Sequence, residues 1–192
     1  MTSTDDALLP FDTVCLVSHD SKTILHADGL AHAAPKLLPI GSGGLSVGDE
    51  ACFQLRRIPT GSSASPLLPR DLITLQHVAS GHYLSNQTSA IALQPHAGAG
   101  ASWEIGRTLA ALGGAPLQTG EAVHVCSESS LLHLCSDTGG ALHCAERPER
   151  WRLVRVAPSS AANAPSQLKV RDFVTLRPPE DAGSCIGAAS DG

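Results

Sequence analysis

The sequence predicts an all-β chain built from three repeated units. Three observations carry this. Short runs alternating apolar and polar residues dominate, and long helical periodicity is hard to find. Three marks recur in one order along the chain. Stretches rich in Gly, Ser and Pro punctuate the runs.

The first mark is an apolar pair in a strand. Val14-x-Leu16, Ile73-x-Leu75 and Val123-x-Val125 correspond, within "TVCLV", "LITLQHV" and "AVHVC". The second follows a turn: Leu25 in "TILHA", Leu84 in "GHYLSN" and Leu134 in "LLHLCS". The third closes each unit: Phe53-Gln54-Leu55, Trp103-Glu104-Ile105 and Trp151-Arg152-Leu153. In an alternating strand Phe53, Trp103 and Trp151 share an inner face with Leu55, Ile105 and Leu153, while Gln54, Glu104 and Arg152 point to water. One further strand per unit is found in "KLLPI", "SAIALQ" and "GALHC". Each unit so holds four short strands and cannot bury its apolar face alone. Three units about a pseudo-threefold axis close into a barrel with a hairpin cap, a β-trefoil, and closure removes the exposed edges.

Residues 1–10 read as a flexible N-terminus and 11–157 as the trefoil, with spacers at 59–70 and 108–121. Residues 158–168, rich in Ala, Ser, Pro and Asn, read as a linker. Residues 169–192 repeat the opening strand with Val174-x-Leu176, the start of a second, incomplete trefoil.

The composition narrows the function classes. Hydrophobic residues make up 42% of the chain and mean hydropathy is +0.04, as expected of an ordinary globular protein. Aromatics are only 3%, which argues against stacking platforms for bases or sugars. The net charge of -5 repels bulk nucleic acid and acidic membranes. The opening "MTSTDDALLP" lacks the basic and apolar regions of a secretory signal, and no apolar run is long enough to span a bilayer. Cys15, Cys52, Cys126, Cys135, Cys144 and Cys185 form no CxxC pair and read as reduced thiols filling the core. The sequon at Asn86-Gln87-Thr88 reads as chance.

No catalytic motif stands out: there is no G-x-S-x-G, H-E-x-x-H or P-loop. "GSGGLSVGD" reads as a loop. His133, Cys135, His143 and Cys144 are soft ligands close in sequence, but adjacent His143 and Cys144 face opposite sides of a pleat, so no metal site is expected. His77 and His82, beside the second-unit turn, read as solvated or hydrogen-bonded. No enzyme activity and no cofactor are expected. The electrostatic feature is basic: Arg147, Arg150, Arg152 and Arg155 surround the third closing strand, and Arg56 and Arg57 follow the first. They read either as solvated flanks paired with Glu146 and Glu149, or as an edge for an acidic protein surface.

These marks also carry a family resemblance. Leu75-x-His77-x-x-Ser80-x-x-Tyr83-Leu84-Ser85 resembles the second-lobe hairpin of the N-terminal β-trefoil of inositol trisphosphate and ryanodine receptors. Ala51-Cys52-Phe53-Gln54-Leu55 is similar to the family's first closing strand, Ala101-Ser102-Trp103-Glu104-Ile105 to its second and Trp151-Arg152-Leu153 to its last. Leu132-His133-Leu134 resembles the third-lobe hairpin, and Leu168-Lys169-x-x-Asp172-x-Val174-x-Leu176 the start of the next, MIR-type trefoil. The resemblance covers residues 10–177 in order. It implies a regulatory and assembly module of an intracellular calcium-release channel, on the cytoplasmic face of an endoplasmic-reticulum-type membrane through a longer parent chain. The implied partners are other domains and neighbouring subunits of that channel, with inositol phosphate bound only by downstream domains. The short, Pro-containing spacer 59–70 departs from the long helical arm of inositol trisphosphate receptors and is nearer ryanodine-type or divergent protist-like forms. A fascin-like actin-binding module and a MIR-type or lectin-like binding trefoil are the alternatives.

Overall fold

Alternating apolar runs give strands, and the computed structural model describes residues 6–40, 45–58, 65–87, 90–108, 114–156 and 166–168. The strands are β1 (Thr13–Ser18), β2 (Thr23–His26), β3 (Lys36–Pro39), β4 (Leu45–Val47), β5 (Phe53–Arg57), β6 (Leu72–His77) and β7 (Tyr83–Gln87). They continue with β8 (Ala90–Gln94), β9 (Trp103–Arg107), β10 (Ala122–Ser127), β11 (His133–Ser136), β12 (Leu142–Ala145), β13 (Trp151–Arg155) and β14 (Ser166–Leu168).

Six of them close a ring. β1 pairs with β5, β5 with β6, β6 with β9, β9 with β10, β10 with β13, and β13 with β1, all antiparallel. The other strands of the twelve form three hairpins, β2–β3, β7–β8 and β11–β12. The barrel and the four strands per unit are as the sequence marks require.

The inner face carries the expected residues. Phe53, Trp103 and Trp151 are fully buried, with Leu16, Leu55, Ile73, Leu75, Leu84, Ile105 and Leu134 around them. Each Trp uses its indole N–H: Trp103 Nε1 donates to Leu84 O at 2.9 Å and Trp151 Nε1 to Leu134 O at 2.9 Å. This ties each closing strand to the hairpin of its own unit, and it answers the cost of burying an N–H.

The first unit departs from simple alternation. β1 is buried from Val14 to Ser18, on both faces. A second cluster of Cys15, Val17, Ile24, Val47, Ala51, Cys52, Val154 and Val156 covers its outer face. Cys15 and Cys52 meet there with sulfurs 4.0 Å apart. Cys135 is also buried, whereas Cys126 and Cys144 are half-buried, so core filling by cysteine is partial. Cys185 lies outside the described residues.

The hairpins are joined to one another across units. His32 N donates to Leu93 O at 2.7 Å and Leu37 N to Gly140 O at 3.0 Å. Asn86 Nδ2 donates to Ser130 Oγ at 2.9 Å, so the sequon asparagine is a link between units two and three. The expected linker, 158–168, ends in structure: Ser166–Leu168 pairs with β4 as a separate two-stranded sheet. A short strand with an open edge offers unpaired backbone groups to any extended segment nearby. The expected second trefoil, 169–192, lies outside the described residues.

Candidate interaction surface

The end of the barrel opposite the hairpins shows how the units are locked. Leu8 N donates to Leu117 O, Leu117 N to Leu67 O, and Leu67 N to Leu8 O, each at 2.8 Å. The three Leu side chains are fully buried. They repeat with the spacing of Val14, Ile73 and Val123, so this is a fourth mark, lying before each first strand.

A turn follows each of these leucines. Leu9-Pro10-Phe11-Asp12, Leu68-Pro69-Arg70-Asp71 and Gln118-Thr119-Gly120-Glu121 each close with an N–H to O bond from fourth residue to first, at 3.2, 3.1 and 3.2 Å. The third residue is left-handed in all three: φ is 75° at Phe11, 75° at Arg70 and 74° at Gly120. Such turns favour Gly there, and Pro at the second place.

The carboxylate at each turn's end is held by an arginine from the end of a closing strand. Arg57 Nη2 donates to Asp71 Oδ2 at 2.6 Å and to Pro66 O at 2.6 Å. Arg107 donates through Nε to Glu121 Oε1, through Nη2 to Glu121 Oε2 at 3.0 Å, and to Pro116 O at 3.0 Å. Arg155 Nε donates to Asp12 Oδ2 at 2.9 Å, and its Nη2 to Ala7 O. Each carboxylate also accepts its own turn's first N–H. Charge-assisted, largely buried bonds of this kind are strong and geometrically demanding.

The six arginines of the sequence reading thus part company. Arg57 and Arg155 belong to these clamps. Arg56 stands beside them on β5, its guanidinium 5.7 Å from the Phe11 ring centroid. Arg150 pairs with Asp20 at 2.6 Å, and Arg152 Nε donates to His19 Nδ1 at 2.8 Å. These two lie toward the opposite end of β13 from Arg155, and Arg147, three residues before Arg150, is exposed. The six do not form one basic patch.

Pairing with Glu146 and Glu149 is corrected. Glu149 instead accepts from Ser18 Oγ at 2.8 Å and from Ser136 N and Oγ. Strand alternation aims Arg150 and Arg152 at the β1–β2 turn, where Asp20 and His19 lie. Burial and then the neighbouring Arg152 and Arg150 hold the His19 imidazole below its usual range, in keeping with its accepting Arg152.

Arg107, Asp12, Asp71 and Glu121 are functional residues that the strand marks alone do not single out. A signal existed. An aromatic is followed by Arg four residues on, at Phe53/Arg57, Trp103/Arg107 and Trp151/Arg155. A buried Leu is followed by an acid four residues on, at Leu8/Asp12, Leu67/Asp71 and Leu117/Glu121.

The histidines are placed by packing. His77 is fully buried; its Nδ1 is 2.9 Å from Ser80 Oγ and its Nε2 3.1 Å from Glu50 O. The "HVAS" turn is thereby fastened to unit one, and burial holds the imidazole below its usual range. Cys144 packs on the core opposite Leu134, while His143 is exposed opposite Cys135. Among the described residues no group of three or more His, Cys, Asp or Glu side chains is placed to hold a metal ion. No described helix is long and apolar enough to cross a membrane.

No family model matches the chain, and no curated protein matches it. Among solved structures it is similar to the SDF2-like protein from Arabidopsis thaliana, with a TM-score of 0.59 and 13% identity over 77% of this chain and 94% of that one. It is also similar to a Caenorhabditis elegans protein of unknown function, with a TM-score of 0.61 and 10% identity over 80% of this chain and 99% of that one. At such identities the likeness is one of fold: a closed six-stranded all-β barrel with three hairpins.

Proposed function

We propose that the chain is a β-trefoil serving as a non-catalytic regulatory and assembly module of an intracellular calcium-release channel of the inositol trisphosphate or ryanodine receptor type. The observation that carries the module reading is where the buried polar chemistry goes. Arg57, Arg107, Arg155 and His77 are engaged between strands and units. They hold the scaffold, so its work is done by surfaces. The channel reading rests on the resemblance of Leu75-x-His77-x-x-Ser80-x-x-Tyr83-Leu84, and the structure gives that motif a physical role as a fastener between units. One fold hosts many functions, so the test is functional.

Inositol trisphosphate titrated calorimetrically into this chain gives no heat of binding. A longer chain carrying the following domains binds, and deleting residues 1–160 from it tightens binding. Absence of binding by both chains removes the inositol trisphosphate receptor reading, leaving a ryanodine-type or unrelated trefoil. The fold likeness to the SDF2-like protein favours a second reading, a MIR-type binding trefoil outside any channel. Glycan-array binding by this chain alone selects it.

A further inference from the structure

We propose that the barrel end bearing the three turns is a docking surface for an acidic, apolar-anchored segment of a partner protein. Half of the exposed large apolar side chains among the described residues gather here: Leu9, Phe11 and Leu68, at 40%, 53% and 42% exposure. They share this end because the Leu8–Leu67–Leu117 ring, in which Leu67 N donates to Leu8 O, sets the first two turns at the same end of the barrel.

The left-handed position in these turns supplies the second argument. The fold accepts Gly there, as Gly120 demonstrates in the third turn. Phe11 and Arg70 occupy the same position with a side chain, in a backbone region that disfavours one. Their side chains project into water. Neither the strain nor the exposure of an aromatic ring helps the barrel fold, and residues held so are concentrated where a protein makes contacts.

Charge selects the occupant. The turn carboxylates Asp12, Asp71 and Glu121 are already occupied by Arg155, Arg57 and Arg107. Arg56 lies over the Phe11 ring and Arg70 is exposed, and neither has a carboxylate partner among the described residues. Asp6, exposed beside Thr119, limits the basic area on the third-unit side. An apolar centre with two unmatched guanidinium groups complements a segment that presents an apolar side chain between carboxylates. A second copy docked through the same face would set Arg against Arg. An anionic bilayer meets a chain of net charge -5, which opposes it over the rest of the surface.

The surface is independent of the channel reading, and its test uses the whole chain. A synthetic peptide alternating Leu and Glu is titrated into isotope-labelled protein, followed by amide chemical shifts. The expected shifts centre on Leu9, Phe11, Leu68 and Arg70, weaken with salt, and vanish when Lys replaces Glu in the peptide. Phe11→Gly and Arg70→Gly each weaken binding by about tenfold while keeping a cooperative urea transition, because Gly already serves in the third turn. Shifts elsewhere, equal binding of the Lys peptide, or full binding by both glycine variants overturn the proposal. So does co-sedimentation with phosphatidylserine vesicles in place of peptide binding, or concentration-dependent dimerisation abolished by Phe11→Gly.

Discussion

Truncating Arg107 to Ala is expected to be the most damaging single change at any of the three clamps. The Arg107 and Glu121 side chains are only 5% and 14% exposed. The guanidinium makes two bonds to the carboxylate and one each to the carbonyls of Ala115 and Pro116. Its removal leaves a carboxylate with only the Gln118 N–H at 3.1 Å and two carbonyls without that donor. Breaking a buried pair by removing one partner costs about 3–5 kcal/mol, mostly from the charge left behind. That is a large part of the 5–15 kcal/mol or so that holds a typical domain together. For a chain of this size it lowers Tm by about 6–20 °C.

Two comparisons isolate the cause. The Arg57–Asp71 pair is 9% and 22% exposed and the Arg155–Asp12 pair 25% and 19%, so Arg57→Ala and Arg155→Ala cost progressively less. The Arg150–Asp20 pair is 47% and 59% exposed, and Arg150→Ala costs at most about 0.5–1 kcal/mol because solvent screens it. The double change Arg107→Met with Glu121→Leu recovers most of the loss, since no charge then lies buried alone. The assay is urea unfolding of each variant, with a double-mutant cycle for Arg107 and Glu121. If Arg107→Ala costs no more than Arg150→Ala, or the double variant is no better than the single, the clamps do not hold the barrel end.

Two further expectations concern the histidines and the tryptophans. His77, His19 and His124 are each held below the ordinary imidazole value of 6.5, with burial the largest cause. The unfolded chain then takes up protons first on acidification, so their contribution is present above pH 6.5 and is lost as pH falls through the folded values. The urea midpoint should decline from pH 7 to pH 5, with a shallower slope in His77→Asn; a flat or rising midpoint contradicts this. Trp103→Phe and Trp151→Phe remove the indole bonds to Leu84 O and Leu134 O but keep an aromatic, as Phe53 does in unit one. Each should cost about 1–3 kcal/mol, and loss of cooperative unfolding in either variant shows that ring volume, not the bond, decides.

Sequence legibility followed the range of the interaction. Barrel strands were legible because inward and outward residues alternate along one strand, and a repeat triples the signal. Phe53, Trp103 and Trp151 could be placed at the core from their neighbours alone. The double-sided burial of β1 was not legible, since Cys15 and Val17 are covered by Val47, Val154 and Val156 from other parts of the chain. Partners of the arginines were not legible either: Arg155 finds Asp12 and Arg150 finds Asp20 across most of the chain length.

The sequence by itself determined that the chain is all-β, that it has three units of four strands, and which aromatic closes each unit. Periodicity of two is a property of a single strand, and repetition is a property of the chain, so neither needs a fold to be read. Tertiary structure alone decided which charges are spent on the scaffold and which stand free. Closing the barrel brings Leu8, Leu67 and Leu117 within hydrogen-bonding distance. That closure buries Arg57, Arg107 and Arg155 with their carboxylates, leaves Arg70 and Phe11 exposed, and leaves Arg56 half-buried against the Phe11 ring. Local spacing marks the arginines and the acids, but which charge meets which is set by what the rest of the chain places alongside, and the spacing does not name the partner.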